Sequence, residues 1–206
     1  MSEPDVRVML RPIATPLPLG FLALAAGTLL VSGLQLGWLA PEQGQQVGLI
    51  LVAFVFPLQL IACILGFLAR DVVAGTGMGL LAGAWLAIAL VTLTAPRPGA
   101  TSDALGLFLL LAGTAMLIPF AAACLSKLVA AAVLGTTAVR FALTGLYQLT
   151  AGDGLEQAAG LVGLLLLAVA VYAAFALALE DAGHPVVPIG RRAATGGAEA
   201  GVRRQL

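Results

Sequence analysis

Six long apolar stretches, separated by short polar connections, constrain this chain more than any other feature. Each approaches the roughly 20 residues that a helix needs to cross the hydrocarbon core of a bilayer. With 61% hydrophobic and 10% charged residues, the 206-residue chain has more apolar surface than a soluble domain could bury. The sequence therefore predicts an all-α, polytopic membrane protein with six transmembrane helices, over about residues 17–39, 47–69, 72–94, 104–124, 128–149 and 157–179.

The connections between these stretches leave little chain outside the bilayer. Arg70-Asp71 and Leu125-Ser126-Lys127 are so short that consecutive helices must be antiparallel neighbours. The first stretch is too long for a signal-peptide core, so we interpret it as an uncleaved span. We divide the chain into an N-terminal segment (1–15), a six-helix membrane domain (16–190) and a disordered basic tail (191–206).

The basic residues predict the orientation, because cytoplasmic loops retain an excess of Lys and Arg. If all six spans form, Arg97 alone lies on one side. The other side has Arg7, Arg11, Arg70, Lys127, Arg191, Arg192, Arg203 and Arg204. We therefore expect a multi-pass protein of the plasma (inner) membrane with both termini in the cytoplasm and the tail at the inner leaflet.

A short pattern recurs between the first and fourth spans. Leu19-Gly20 precedes Ala26-Gly27-Thr28 at the same spacing at which Leu105-Gly106 precedes Ala112-Gly113-Thr114. Two triplets of helices would insert in opposite directions, as in many transporters. The pattern favours an inverted 3+3 repeat with a substrate path between the halves, although chance recurrence in helices rich in Ala, Gly and Leu is the alternative.

Glycine also recurs every four residues on the third span, at Gly75, Gly79 and Gly83. Such a face lets another helix backbone approach closely. It predicts tight packing within a subunit or between subunits.

Arg140 is the most unusual single residue because it falls inside the fifth span. A charge at the centre of a span costs about 2.5 kcal/mol or more, so it needs a partner or water. One interpretation is structural: the side chain snorkels outward or pairs with Asp153 or Glu156. The other is an anion-attracting group at an external vestibule. Thr136, Thr144 and Tyr147 share its helical face at a spacing of three to seven residues.

Chemistry other than transport has little support in the sequence. Cys63, Cys124 and the single histidine His184 do not make a usual zinc site. No nucleophile with a neighbouring base is evident within the spans, so we expect neither an enzyme nor a cofactor. A net charge of zero gives no indication of nucleic-acid binding.

Motifs at both ends of the membrane domain resemble those of the acetate uptake transporter family, also called GPR1/FUN34/YaaH. The segment from Thr15 to Phe21 is similar to the family's Asn-Pro-Ala-Pro-Leu-Gly-Leu at Pro16, Pro18, Leu19 and Gly20. The segment from Gly183 to Gly190 is similar to its closing Gly-Arg-Thr-Val-Leu-Pro-Ile/Leu-Gly, and Tyr172 with Glu180-Asp181 matches a tyrosine and an acidic pair before it. Gln59 and Gly83 begin weaker matches on the second and third spans.

The resemblance implies six helices per subunit, a homo-oligomer, usually a hexamer, and a path for acetate or other short monocarboxylates, with or without protons. This chain departs from the family at Thr15, where the family has Asn, and at three constriction positions, where Phe, Tyr and Leu are replaced by Leu24, Ala82 and Thr137. The smaller side chains suggest a wider gate for bulkier acids. The expected substrate path comprises Thr15, Pro16, Pro18, Gly20, Leu24, Thr28, Gln59, Ala82, Trp85, Thr137, Arg140 and Tyr172.

Two further functions remain open at the level of sequence. A receptor or assembly scaffold could keep the fold without a working gate. A conduit for ammonia or another small neutral solute is the third candidate.

Overall fold

Six helices account for nearly all of residues 13–182, the part of the chain that the computed structural model describes. Each is long and apolar enough to cross a membrane, so the predicted span number is confirmed. The first 12 residues, the closing motif and the basic tail lie outside the described residues. The helices are α1 (Leu17–Gln35), α2 (Pro41–Leu68), α3 (Val72–Leu93), α4 (Asp103–Cys124), α5 (Leu128–Thr150) and α6 (Asp153–Asp181).

The first helix begins and ends where its local sequence requires. Pro16 and Pro18 occupy the start, where a missing backbone N–H is not needed for the helical ladder. Gly37 adopts φ +71°, and the Trp38 N–H donates to the Gly33 carbonyl at 2.8 Å. This glycine-dependent cap ends α1 at Gln35, earlier than hydropathy indicates, because apolarity alone does not detect a left-handed turn.

The helix ends define two ends of the bundle. At the terminal end lie residues 13 and 182 and the turns after α2 and α4; the other three connections form the loop end. Asp71 Oδ1 accepts a hydrogen bond from the Ala74 N–H at 2.9 Å and so caps α3. Its other oxygen lies 3.9 Å from Lys127 Nζ, which joins the two turns of the terminal end.

Helix α2 contains a wider, π-helical turn at Leu51–Val55, which ends two residues before Pro57. Pro57 has no N–H to donate to the preceding turn, and the Phe56 N–H instead donates to the Leu51 carbonyl. A proline inside a helix is a usual cause of such a distortion. The distortion directs Leu51 and Val55 into the interior of the bundle, where both are buried.

The helices pack in pairs, α1 with α6, α2 with α3 and α4 with α5. Helices α1 and α5 are the most enclosed, but they are not close-packed neighbours of each other. A gap therefore separates the two central helices, and only side chains bridge it.

The glycine face of α3 divides between two environments. A Cβ at Gly75 would lie 2.8 Å from the Phe67 ring, and one at Gly79 would lie 3.0 Å from Cys63 Sγ, so both glycines pack against α2. Gly83 has nothing within 4 Å of a Cβ position. Two of the three glycines therefore serve packing within the subunit.

The recurring glycines are close-packed in both halves, but against different sets of helices. Gly20 lies against Met78 of α3 and Ala62 of α2, and Gly27 lies against Val55 of α2 and Trp85 of α3. Gly106 and Gly113 lie against the helix that follows α4, through Gly145 and Ala138 of α5. The inverted repeat stays a prediction.

Candidate functional site

The buried polar side chains of the described residues concentrate on the two central helices. Seven polar or charged residues are buried in the described part of the chain, and six of them belong to α1 or α5, the exception being Gln59 of α2. Within each helix they are three or four residues apart, which places them on one face. They are Thr28, Ser32 and Gln35 on α1 and Thr137, Arg140 and Thr144 on α5.

Two long hydrogen bonds cross the gap between these faces. Arg140 Nη2 donates to the Thr28 carbonyl at 3.4 Å, and Gln35 Nε2 donates to Thr144 Oγ1 at 3.5 Å. Both are longer than the usual 2.7–3.2 Å, so they are weak. A solute that offers better acceptors can therefore replace them at little cost.

Arg140 is buried without an anionic partner among the described residues. Its side chain is only 3% exposed, and Nη1 has no hydrogen-bond partner. It neither extends to the surface nor forms an ion pair with Asp153 or Glu156. Neither a snorkelling Arg140 nor one paired with an outer acid therefore describes this arrangement.

Close packing on two sides holds the guanidinium in place. The Trp85 ring of α3 lies beneath it, with 5.9 Å between the ring centroid and Arg140 Cζ. On the α6 side, a Cβ at Gly163 would lie 2.9 Å from Arg140 Cζ and would overlap Ser32 Oγ. Glycine at this position thus leaves the space that the arginine occupies.

A cavity of about 260 Å³ opens above Arg140 and Trp85 toward the loop end. We call it the vestibule. Its walls are largely apolar, from Val31, Leu34, Leu51, Ile88 and Phe141. The polar groups lie at its base, at the Gln35–Thr144 level and at the mouth, where Glu42, Arg97, Gln148 and Glu156 contribute.

Below the vestibule the interior is closed by apolar packing. Phe21 and Leu24 of α1 and Met78 and Leu81 of α3 are each no more than 1% exposed. Ala82 and Thr137 are also buried in this region. The Thr137 hydroxyl donates to the Val133 carbonyl of its own helix at 2.8 Å. The burial of these side chains closes the interior between the vestibule and the terminal end in the described part of the chain. We call Phe21, Leu24, Met78, Leu81 and Ala82 the apolar plug.

Polar atoms reappear beyond the plug, near the terminal end. Gln59 Nε2 donates to the Gly20 carbonyl at 3.3 Å, while Gln59 Oε1 and Thr15 Oγ1 are buried without partners. Pro16 is buried beside them and Pro18 is half-buried. The bundle interior is therefore polar at both ends and apolar in the middle.

Three features differ from the sequence-based interpretation. Tyr172 is 42% exposed on the outer surface of α6, away from this interior. Thr136 does not join Arg140, since its hydroxyl donates to the Ala132 carbonyl on the outside of α5. Gln35 was not expected to be functional, although its spacing from Thr28 and Ser32 would have indicated one shared face.

Comparisons with known proteins place this arrangement in context. The model of the GPR1/FUN34/yaaH family matches residues 3–188. The solved structure of the bacterial acetate channel SatP is similar with a TM-score of 0.75 and 23% sequence identity, over 86% of this chain and 99% of that one. No curated protein sequence matches significantly. The structural likeness establishes the shared six-helix fold.

Proposed function

The chain belongs to the GPR1/FUN34/yaaH family, and from that premise we propose that it is a membrane channel or transporter for acetate and other small monocarboxylates. The observation that carries the proposal is the buried, unpaired Arg140 at the base of the vestibule. A solved relative of the same fold is described as an acetate channel, which agrees with this function.

The vestibule supplies what a carboxylate loses when it leaves water. Arg140 Nη1 and Trp85 Nε1 are both buried donors without partners. A carboxylate at the vestibule base would accept from them and would neutralise the guanidinium, which has no carboxylate partner among residues 13–182. The same anion would replace the weak 3.4 Å bond to the Thr28 carbonyl.

The apolar plug supports a gated passage. A hydrophobic constriction excludes water and ions until its side chains separate. Below it, Gln59 and Thr15 offer a second set of polar atoms, so the solute would exchange one polar site for another. No Asp or Glu is buried within the described part of the chain, which favours a channel-like path over a carboxylate proton relay.

Leu24, Ala82 and Thr137 lie in the closed region between the two polar ends. Their small size supports the proposal that the open gate is wider than in other family members. We also propose that Arg70 and Lys127 mark the cytoplasmic side, so that the vestibule faces outward in the plasma membrane, and that subunits assemble into a homo-oligomer.

An ammonia conduit is a weaker candidate because a buried guanidinium repels ammonium and gives neutral ammonia no advantage. A scaffold gives no reason to keep an unpaired charge in the interior.

Flux of labelled acetate into liposomes that contain the purified protein tests the proposal, measured across pH against protein-free liposomes. We expect acetate influx that exceeds the protein-free rate and saturates with concentration. Ammonia flux without acetate flux would instead support the neutral-solute conduit, and the absence of both would support the scaffold.

A further inference from the structure

The vestibule has an asymmetry that bears on its substrate. Its charged donor lies at the base, whereas the walls above that donor are mainly apolar, with Gln35 and Thr144 as a polar pair among them. Val31 and Leu34 come from α1, Leu51 from the π-helical turn of α2, Ile88 from α3 and Phe141 from α5. With Leu105 of α4, five helices thus contribute hydrocarbon to a chamber of about 260 Å³.

Acetate would leave most of this chamber unused. A carboxylate bound to Arg140 directs its hydrocarbon chain upward, because the plug closes the opposite direction at Leu24 and Leu81. Each methylene that enters the chamber leaves water for an apolar wall, which favours binding by up to about fourfold.

The mouth would disfavour a second carboxylate. Glu42, Glu156 and Arg97 are the charged residues there, with a net charge of −1. A dicarboxylate with one end on Arg140 would place its other end among apolar walls or near these two carboxylates, without its own buried cation. Burial of an unpaired charge is strongly unfavourable.

From this geometry we infer that the Arg140 vestibule selects monocarboxylates with an apolar tail, of about four to six carbons, over both acetate and dicarboxylates of equal length. The inference rests on the proposed function, since it names the substrate class of the same site.

Inhibition of labelled acetate uptake provides the first test, with unlabelled acetate, propionate, butyrate, hexanoate and succinate as external competitors in initial-rate assays at neutral pH. We expect the inhibition constant to fall about fifteenfold from acetate to butyrate, which adds two methylenes. Succinate, with the same four carbons as butyrate, is expected to inhibit at least tenfold more weakly than butyrate. Constants that agree within twofold from acetate to hexanoate, or a preference for succinate, would overturn the inference.

The walls can be changed without changing their shape. Val31→Thr replaces a methyl group by a hydroxyl group of similar size at the vestibule surface. It is expected to reduce the preference for butyrate over acetate, taken as the ratio of their inhibition constants in the same variant, two- to fourfold. Val139→Thr is the matched control, because Val139 is adjacent to Arg140 in sequence but is 52% exposed on the outer surface. An equal effect of both variants would contradict a role of the wall.

Binding without transport separates this inference from the proposed function. The chain has two tryptophans, and Trp38 is 62% exposed, so Trp38→Phe leaves Trp85 as the fluorescent reporter at the vestibule base. Tighter saturation by butyrate than by acetate, in protein that carries no acetate flux, would support the selectivity and refute the transport function. Acetate flux together with binding that does not depend on the chain length of the acid would support the transport function and refute the selectivity.

Discussion

Replacement of Arg140 by glutamine should impair transport without harming the fold. The guanidinium is 3% exposed, has one 3.4 Å hydrogen bond to a carbonyl and has no carboxylate partner in the described structure. A charge at mid-span costs about 2.5–3.5 kcal/mol on insertion scales. The long hydrogen bond from Arg140 to the uncharged Thr28 carbonyl contributes about 1 kcal/mol of stability. Removal of the charge should therefore leave the free energy of unfolding unchanged or raise it by about 1–2 kcal/mol.

The same substitution removes the charged donor for the solute. Hydrogen bonds to charged groups contribute about 1.5–3 kcal/mol, so the apparent affinity for acetate should fall about 10- to 150-fold. The Arg140→Lys variant keeps the charge but loses the planar fork of the guanidinium. Its apparent affinity for acetate should lie between that of the unmodified protein and that of Arg140→Gln.

Two measurements on one preparation test the expected combination of an unharmed fold and a weakened affinity for acetate. Thermal unfolding in detergent should give a midpoint for Arg140→Gln that is equal to or above that of the unmodified protein. Initial rates of acetate uptake in liposomes should show a raised KM. A lowered unfolding midpoint together with unchanged uptake per folded molecule would refute the reasoning and identify Arg140 as a structural residue.

Three further substitutions test the packing beside Arg140, the packing of α2 against α3 and the position of the gate. Gly163→Ala should lower the stability by about 1–3 kcal/mol and impair uptake, because its Cβ would displace Ser32 Oγ or Arg140. Gly154→Ala on the same helix is the control and should be neutral, because nothing lies within 4 Å of its Cβ position. Thermal unfolding compares the two variants, and equal effects would contradict the account. Gly66→Ala would place a Cβ 2.7 Å from the Gly75 backbone nitrogen and should destabilise the α2–α3 pair by a similar amount, while Gly83→Ala should not. Leu24→Ala shortens a side chain of the apolar plug and should raise labelled butyrate flux relative to acetate flux, so an unchanged ratio would contradict the position of the gate.

The sequence was sufficient to predict the number of helices because apolar length determines which segments cross a bilayer. It was less informative about helix ends. Glu42 and the glutamines near it continue α2 as a polar first turn, which a hydropathy criterion excludes, and α6 begins at Asp153 for the same reason. Cap geometry such as that of Gly37 depends on one residue and contributes nothing to average hydropathy.

The candidate site was predictable only in part. The position of Arg140 within a span identified it as unusual, but two environments were equally compatible with the sequence. The close approach of Gly163 and the Trp85 ring decides between burial and snorkelling, and such contacts between distant spans are not encoded in a local pattern. Tyr172 shows the converse, since a family motif indicated the path and the helix rotation directs its side chain outward.

A structure determined with butyrate bound tests the central claim most directly. We predict a carboxylate above Trp85 with an oxygen about 2.7–2.9 Å from Arg140 Nη1, and with the hydrocarbon chain directed toward the loop end between Val31 and Ile88. Butyrate bound only elsewhere, with an unchanged and still unpaired Arg140, would contradict the account.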